Sequence, residues 1–129
     1  MIVLEILTPD GVALQEDGVE FVVLRRHERS FDVGSEIAVY PRHAPMLVRI
    51  PIAAARYGKG GETVSLALRG GFAEVRHDHV VIVTPRCTRV AGEVPDPAGA
   101  ARQLCDEWRA EAVGSRDELV GLPVSRAGE

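Results

Sequence analysis

The stretch Pro41-Arg42-His43-Ala44-Pro45 decides the fold, because it joins two apolar runs and must turn the chain between them. Those runs are residues 37–40 and 46–50. Each proline fixes its own φ at about −65° and biases the preceding residue toward extended backbone, so the stretch cannot be helical. We predict a stiff corner between two strands. His43 has two interpretations here, a partly buried residue of an ordinary corner or a preorganised contact for a partner.

The chain before residue 91 has the pattern of short strands separated by turns. Thr8-Pro-Asp-Gly11 is a strong turn signal, and Glu62–Leu68 alternates polar and apolar residues as a half-buried strand does. Gly70-Gly71 indicates a bulge or a close backbone approach. Further turns are predicted at Asp17-Gly18 and His77-Asp78. Residues 1–90 are therefore predicted to form a β-sandwich of about ten short strands.

Residues 91–129 are predicted to form a short helical C-terminal tail, which makes the chain mainly β with an α appendage. Asp96 is a good N-cap and Pro97 a good first helical residue. Apolar residues then recur every three or four positions, which predicts one main helix over about 97–113. Gly114 is expected to stop it, and Ser115-Arg-Asp-Glu118 has the capping-box spacing of a second, stunted helix. Residues 124–129 are expected to fray.

Composition and charge exclude several functions. The net charge is −4, and residues 1–92 hold 11 acidic and 11 basic side chains, so the basic surface of a nucleic-acid-binding protein is missing. No apolar run is long enough to span a membrane, and the N-terminus lacks the pattern of a signal peptide. Cys87 and Cys105 are the only cysteines, which predicts reduced thiols and no zinc site.

No motif of a catalytic or metal site is present. Ser, His and Asp all occur, but no Gly-x-Ser-x-Gly elbow does. Gly58-Lys-Gly-Gly61 lacks the spacing of a phosphate-binding loop and is predicted to be a turn. His77 and His79 would share a face of a strand, but further ligands are missing nearby in the sequence. We therefore predict no enzyme activity and no metal for the isolated chain.

Four segments, in this order, resemble the epsilon subunit of F-type ATP synthase. They are the opening strand with Thr8-Pro-Asp-Gly11, His43-Ala44-Pro45, the run from Gly70-Gly71-Phe72 to Val75, and Val80–Val83. The resemblance covers about residues 1–90. The arginine before His43 is similar to the alternative, N-type ATPase form of the family. Ser35, Ala38 and Arg42 stand where family members usually carry glycine.

The resemblance implies a non-catalytic subunit of the central stalk, coupling the gamma subunit to the membrane c-ring in ion-driven ATP synthesis within the whole F1Fo complex. It also implies a peripheral location on the cytoplasmic face of the bacterial inner (plasma) membrane, without direct insertion. The expected interface with gamma and the c-ring contains charged and directed contacts from the corner and from the strand before it. These residues are Glu36, Arg42, His43, Ala44 and Pro45.

The tail is where the resemblance is weakest. It is short, it is interrupted by Pro95 and Pro97, and its second helix is stunted, so weak or absent inhibition of ATP hydrolysis is expected. Some family members bind ATP through Asp-x-x-Arg-Ala, which Asp106, Arg109 and Ala110 match, with Arg116 as a second arginine. ATP is thus a candidate regulatory ligand, and no other cofactor is expected. The alternative is a solvated pair of Asp106 and Arg109 on one helix face.

A different class of function remains open from the sequence. A free-standing β-sandwich binding module would have the same strands and turns but its own ligand and no affinity for gamma. Copurification with gamma would distinguish the two.

Overall fold

The computed structural model describes residues 1–27 and 34–121, with side chains as far as residue 113. Within these residues eight strands precede one helix. The strands are β1 Ile2–Thr8, β2 Gly11–Val19, β3 Phe21–Arg25, β4 Glu36–Val39, β5 Met46–Lys59, β6 Glu62–Arg76, β7 His79–Val83 and β8 Cys87–Arg89, and the helix is α1 Pro97–Gly121. The predicted class, mainly β with a C-terminal helix, is confirmed, and the predicted number of strands is slightly too high.

All eight described strands belong to one sheet that folds over on itself. The strand order is β2-β1-β7-β6-β5-β3-β4, with β8 beside β6. The first half of β5 and the second half of β6 lie in the layer of β7, β1 and β2, and their other halves lie with β3, β4 and β8. Apolar side chains from both layers form one core, which includes Leu4, Tyr57, Leu66 and Ile82.

The two long strands explain why ten strands were expected. β5 continues through Pro51 and β6 through Gly70-Gly71, and the two strands stay in one register on both sides of these residues. Both glycines have positive φ, 73° and 121°. A Cβ on Gly71 would lie 2.0 Å from the carbonyl oxygen of Val83. The predicted close backbone approach is confirmed, and it bends the sheet from one layer into the other without ending the strand.

The turn predicted at Asp17-Gly18 is wrong, because both residues lie inside β2. The pairing of β1 with β2 shifts register between Ile2↔Val19 and Leu4↔Glu16. One extra residue on one strand of an antiparallel pair is a β-bulge, and it twists the edge strand without reversing the chain. The turn predicted at His77-Asp78 is confirmed, because β6 and β7 form a hairpin that pairs Arg76 with His79.

The helix begins where the sequence predicted. The backbone N–H of Gly99 donates to Oδ1 of Asp96 at 3.1 Å, so Asp96 is the N-cap and Pro97 the first helical residue. The predicted end at residue 113 is wrong, because α1 continues through Gly114 to Gly121 and no second helix begins at Ser115. A single glycine costs a helix only about 1 kcal/mol, so it need not stop one. Residues 122–129 lie outside the described residues.

The helix packs across the outer face of β5 and β6. Its buried side chains are Ala101, Cys105 and Trp108, which lie against Ala67 and Val90. At its edges, Arg86 stacks 4.9 Å from the centre of the Trp108 ring, and Arg69 forms a 2.9 Å ion pair with Glu111. The apolar stripe that the spacing predicted is therefore the stripe that faces the sheet.

Candidate functional site

The proline corner is a tight turn whose third residue is strained. The N–H of His43 donates to the carbonyl oxygen of Tyr40 at 3.2 Å, with Pro41 at the second position. Arg42 at the third position has φ 67°, the left-handed value that a type II turn requires and that glycine normally supplies. A left-handed backbone at a residue other than glycine costs about 1–2 kcal/mol. The corner therefore keeps a strained arginine at the join between β4 and β5.

Asp78, at the tip of the β6–β7 hairpin, holds that corner in place. Its Oδ1 accepts a hydrogen bond of 2.7 Å from the N–H of Arg42, and its carbonyl oxygen accepts one of 2.8 Å from the N–H of Val3. The preceding residue, His77, has φ 54°. Among the described residues, Arg42 and His77 are the two non-glycine residues with positive φ, and Asp78 connects them. Three distant segments are thus fastened at one residue.

The side chains of the corner are accessible. Arg42, Ala44 and Pro45 are exposed, and His43 is half-buried. Nδ1 of His43 lies 2.7 Å from the carbonyl oxygen of Ala44, which favours a proton on Nδ1. That tautomer leaves Nε2 as a free acceptor. The corner is therefore neither deep in the fold nor shielded from a partner by the part of the chain that the structure describes.

Glu36 lies apart from the other predicted interface residues. It begins β4 and the corner follows the end of that strand, so β4 separates them by about 10 Å. Its Oε2 lies 3.0 Å from Arg56 and 3.9 Å from Arg25. The hydrogen bond from Arg56 lowers the pKa of Glu36, against a smaller rise from burial. The structure thus brings Arg42, His43, Ala44 and Pro45 together, and it pairs Glu36 with arginines of its own chain.

Two of the predicted nucleotide-binding residues, Asp106 and Arg109, pair with each other, and Arg109 also connects the helix to the sheet. A guanidinium N–H of Arg109 donates to Asp106, three residues earlier on α1, and its Nε donates to the carbonyl oxygen of Ile52 at 3.1 Å. The side chain of Arg116 lies outside the described residues. Nucleotide binding through these residues stays a prediction. The observed geometry is that of the alternative, an Asp106–Arg109 pair on one helix face.

The described residues contain no cluster of three or more side chains that could hold a metal ion. Nε2 of His79 lies 3.4 Å from Oε1 of Glu5, an ordinary cross-strand contact. Likewise, no helix within those residues has the length and apolarity to cross a membrane. The residue that sequence reasoning missed is Asp78, which was predicted only as half of a turn. No local signal could have found it, because its partners are 36 residues away and at the N-terminus.

Comparison with known proteins gives the family. A family model described as "ATP synthase, Delta/Epsilon chain, beta-sandwich domain" matches residues 1–90. The ATP synthase epsilon chain of Bacillus subtilis is 35% identical over 102 residues, which cover 79% of this chain and 72% of that one. The chain belongs to the epsilon-chain family of ATP synthase. The epsilon chain of Desulfitobacterium hafniense is also 35% identical, over 124 residues that cover 96% of this chain and 83% of that one.

Two solved structures share the fold. A chain of the mitochondrial ATP synthase of Euglena gracilis, in a structure of OSCP, F1 and the c-ring, superposes with a TM-score of 0.61 at 20% identity, covering 95% of this chain and 67% of that one. A chain of the central stalk and c-ring of the Tetrahymena thermophila enzyme gives 0.56 at 14% identity, covering 87% and 90%.

The predicted family and the predicted lack of catalysis follow from membership. An epsilon chain is an accessory subunit of ATP synthase and is not itself the catalyst.

Proposed function

We propose that this epsilon-family chain couples the gamma subunit to the c-ring, with residues 1–90 as the stalk domain and residues 91–129 as a helical tail. The corner Arg42–Pro45 would contact the polar loops of the ring, on the cytoplasmic face of a bacterial plasma membrane. Glu36, an exposed residue whose carboxylate pairs with Arg56, would be part of the same interface. The enzyme would use this subunit for transmission of torque during ion-driven ATP synthesis.

The observation that carries the proposal is the fastening of the corner by Asp78. A contact that transmits torque must not deform locally under force. A loop held only by the two strands that it joins would deform. Here Asp78 binds the corner through Arg42 and the first strand through Val3. A force on the corner is therefore shared by β1, β5 and the β6–β7 hairpin. Behind them lies a close-packed core, which is stiff.

The test is the double variant Arg42→Ala plus His43→Ala in the whole complex, assayed in membrane vesicles. We expect ATP-driven ion pumping to fall while ATP hydrolysis continues, because the contact with the ring is weakened but the sandwich stays folded. The matched control is Arg102→Ala plus Gln103→Ala, two adjacent exposed residues on α1. Normal coupling in the corner variant would remove these residues from the interface.

A second measurement separates this proposal from a free-standing binding module. The tagged wild-type chain should copurify with gamma from cells that express the complex. A chain that folds and is recovered without gamma would favour the independent module, and the corner would then have to serve another ligand.

The tail is expected to inhibit ATP hydrolysis weakly or not at all, and the reason differs from the one that the sequence suggested. At 1.5 Å per residue, the 25 residues of α1 span about 37 Å, so length is not limiting. What opposes an extended tail is the burial of Trp108 and Cys105 against the sandwich. We expect truncation after Ala91 to raise ATPase activity less than about twofold, because a docked helix is already out of reach. A large rise would show that the tail leaves the sandwich and inhibits.

A further inference from the structure

The strained backbone of Arg42 indicates that its side chain has a function at this position. A glycine at this position of the turn would adopt φ 67° without strain, yet the chain carries one of its longest side chains there. Strained non-glycine residues persist where the surrounding structure holds them, and they concentrate at ligand clamps and binding sites. Asp78 and the Tyr40–His43 turn provide that hold. The backbone therefore aims the Cα–Cβ bond of Arg42 in a direction that an unstrained arginine would not take.

The guanidinium of Arg42 has no ion pair or side-chain hydrogen bond to any residue within the described ranges. Two acidic groups of the β6–β7 hairpin have other partners: Asp78 accepts the backbone N–H of Arg42, and Glu74 pairs with Arg76 at 2.6 Å. The guanidinium at the tip of the corner is therefore without an ion-pair partner among the described residues, although the Asp78 carboxylate is bonded to the backbone of the same residue.

A guanidinium in a fixed position recognises a carboxylate best, because its planar N–H groups match the two oxygens in parallel. A backbone that is already fixed also loses less freedom when the contact forms. Building on the proposed function, we propose that Arg42 determines partner specificity by binding an Asp or Glu side chain on the polar loops of the ring. The strained turn then orients the arginine, and Asp78 orients the turn.

The first experiment measures how tightly the full-length chain binds the cognate complex from which this chain has been removed, at low and at high salt. We expect Arg42→Gly to fold and to bind tenfold or more weakly, with a smaller loss on adding salt, because a charge-assisted contact is missing. Arg42→Lys should lie between the two, because it keeps the charge and loses the fork. Arg76→Ala is the matched control at the same end and should change affinity less than about twofold, because Arg76 is paired within the chain.

The second experiment identifies the partner group. Each acidic residue of the ring loops is changed in turn to its amide, alone and together with Arg42→Gly. One of these changes should weaken binding as Arg42→Gly does and add nothing in the pair, which is the signature of a direct contact.

The outcomes distinguish a failure of the proposed function from a failure of the role assigned to Arg42. If the wild-type chain fails to bind the depleted complex, the proposed function is overturned. If the wild type binds and Arg42→Gly binds equally well, or if no acidic change couples to it, only the role of Arg42 is overturned. Thermal unfolding of each variant excludes misfolding as the cause, since Arg42→Gly relieves strain and should not unfold earlier than the wild type.

Discussion

The backbone N–H of Arg42 donates a hydrogen bond of 2.7 Å to Oδ1 of Asp78, which lies 36 residues further along the chain. This bond joins the β4–β5 corner to the β6–β7 hairpin. Because the acceptor is a carboxylate, the bond is stronger than one between neutral groups. The carbonyl of the same residue receives the N–H of Val3, so the end of the sandwich that bears the corner behaves as one piece.

Removing the carboxylate should loosen this end of the molecule. We expect Asp78→Ala to lower the free energy of unfolding by about 2 kcal/mol, the usual effect of losing a hydrogen bond to a charged group. Asp78→Asn, which keeps an acceptor without the charge, should cost less. The measurement is urea denaturation, and Asp10→Ala in the exposed β1–β2 turn is the control. Equal losses for Asp78→Ala and Asp10→Ala would mean that the bond to Arg42 contributes nothing.

Relieving the strain at the corner should stabilise the isolated chain. Arg42→Gly is expected to raise the free energy of unfolding by up to about 1 kcal/mol, since relief of the left-handed backbone exceeds the entropy that glycine adds to the unfolded chain. Arg42→Ala is the control, because it removes the same guanidinium and keeps the strain. A gain in both variants would assign the effect to the charge instead of the backbone.

Adding a methyl group at the bend of β6 should disrupt the sandwich. A Cβ on Gly71 would lie 2.0 Å from the carbonyl oxygen of Val83, so Gly71→Ala should cost about 3 kcal/mol or more or prevent folding. Gly60 also has a positive φ, 62°, but a Cβ added there would meet nothing within 4 Å. Gly60→Ala should therefore cost only about 1 kcal/mol. Soluble yield and thermal unfolding report both variants, and similar losses would show that the backbone of β7 moves aside.

Alkaline pH should weaken the fold through one buried tyrosine. Burial, with the hydrogen bond from its hydroxyl to Glu16 adding to the effect, raises the pKa of Tyr57 from 10.0 to about 12. The unfolded chain therefore loses this proton first, and stability falls as the pH rises from 10 to 12, by roughly 2 kcal/mol at most.

The measurement is the urea midpoint at pH 8 and pH 11. Tyr57→Phe should show a smaller drop between the two values than the wild type. Tyr40→Phe, which changes a tyrosine that is 58% exposed, is the control and should behave as the wild type does. An unchanged drop in Tyr57→Phe would place the alkaline transition on another group, of which Cys87 is a candidate, because burial raises the pKa of its thiol to about 11.

Local signals in the sequence predicted most of the elements correctly. They failed where one residue type is compatible with two structures. Asp96 and Pro97 predicted the start of the helix correctly, because a cap is a contact between neighbours. Gly114 was expected to end the helix, and Gly70-Gly71 was expected to mark a bulge or a close backbone approach. Glycine permits a break without requiring it, and the packing of α1 and the pairing of β5 with β6 decided for continuity.

The candidate site was predictable to the same degree. The prolines around His43 identified the corner, and Arg42 through Pro45 are indeed together and accessible there. Glu36 was grouped with them on the resemblance to the family, and the extended strand β4 separates it from them by about 10 Å. The role of Asp78 could not be predicted, because nothing near residue 78 records that residue 42 will need an acceptor.

The amino-acid sequence by itself determined the strand-rich class, the stiff corner, the N-cap of the tail helix and the family, since each depends on residues that are close along the chain or on their order. Tertiary structure alone decided that the corner is held by Asp78, that the strands bend into two layers at Gly71, and that no described residue forms an ion pair with Arg42. Those features depend on which distant groups meet, and pairing of this kind is settled by the packing of the whole sheet, which overrides a local preference at the left-handed Arg42.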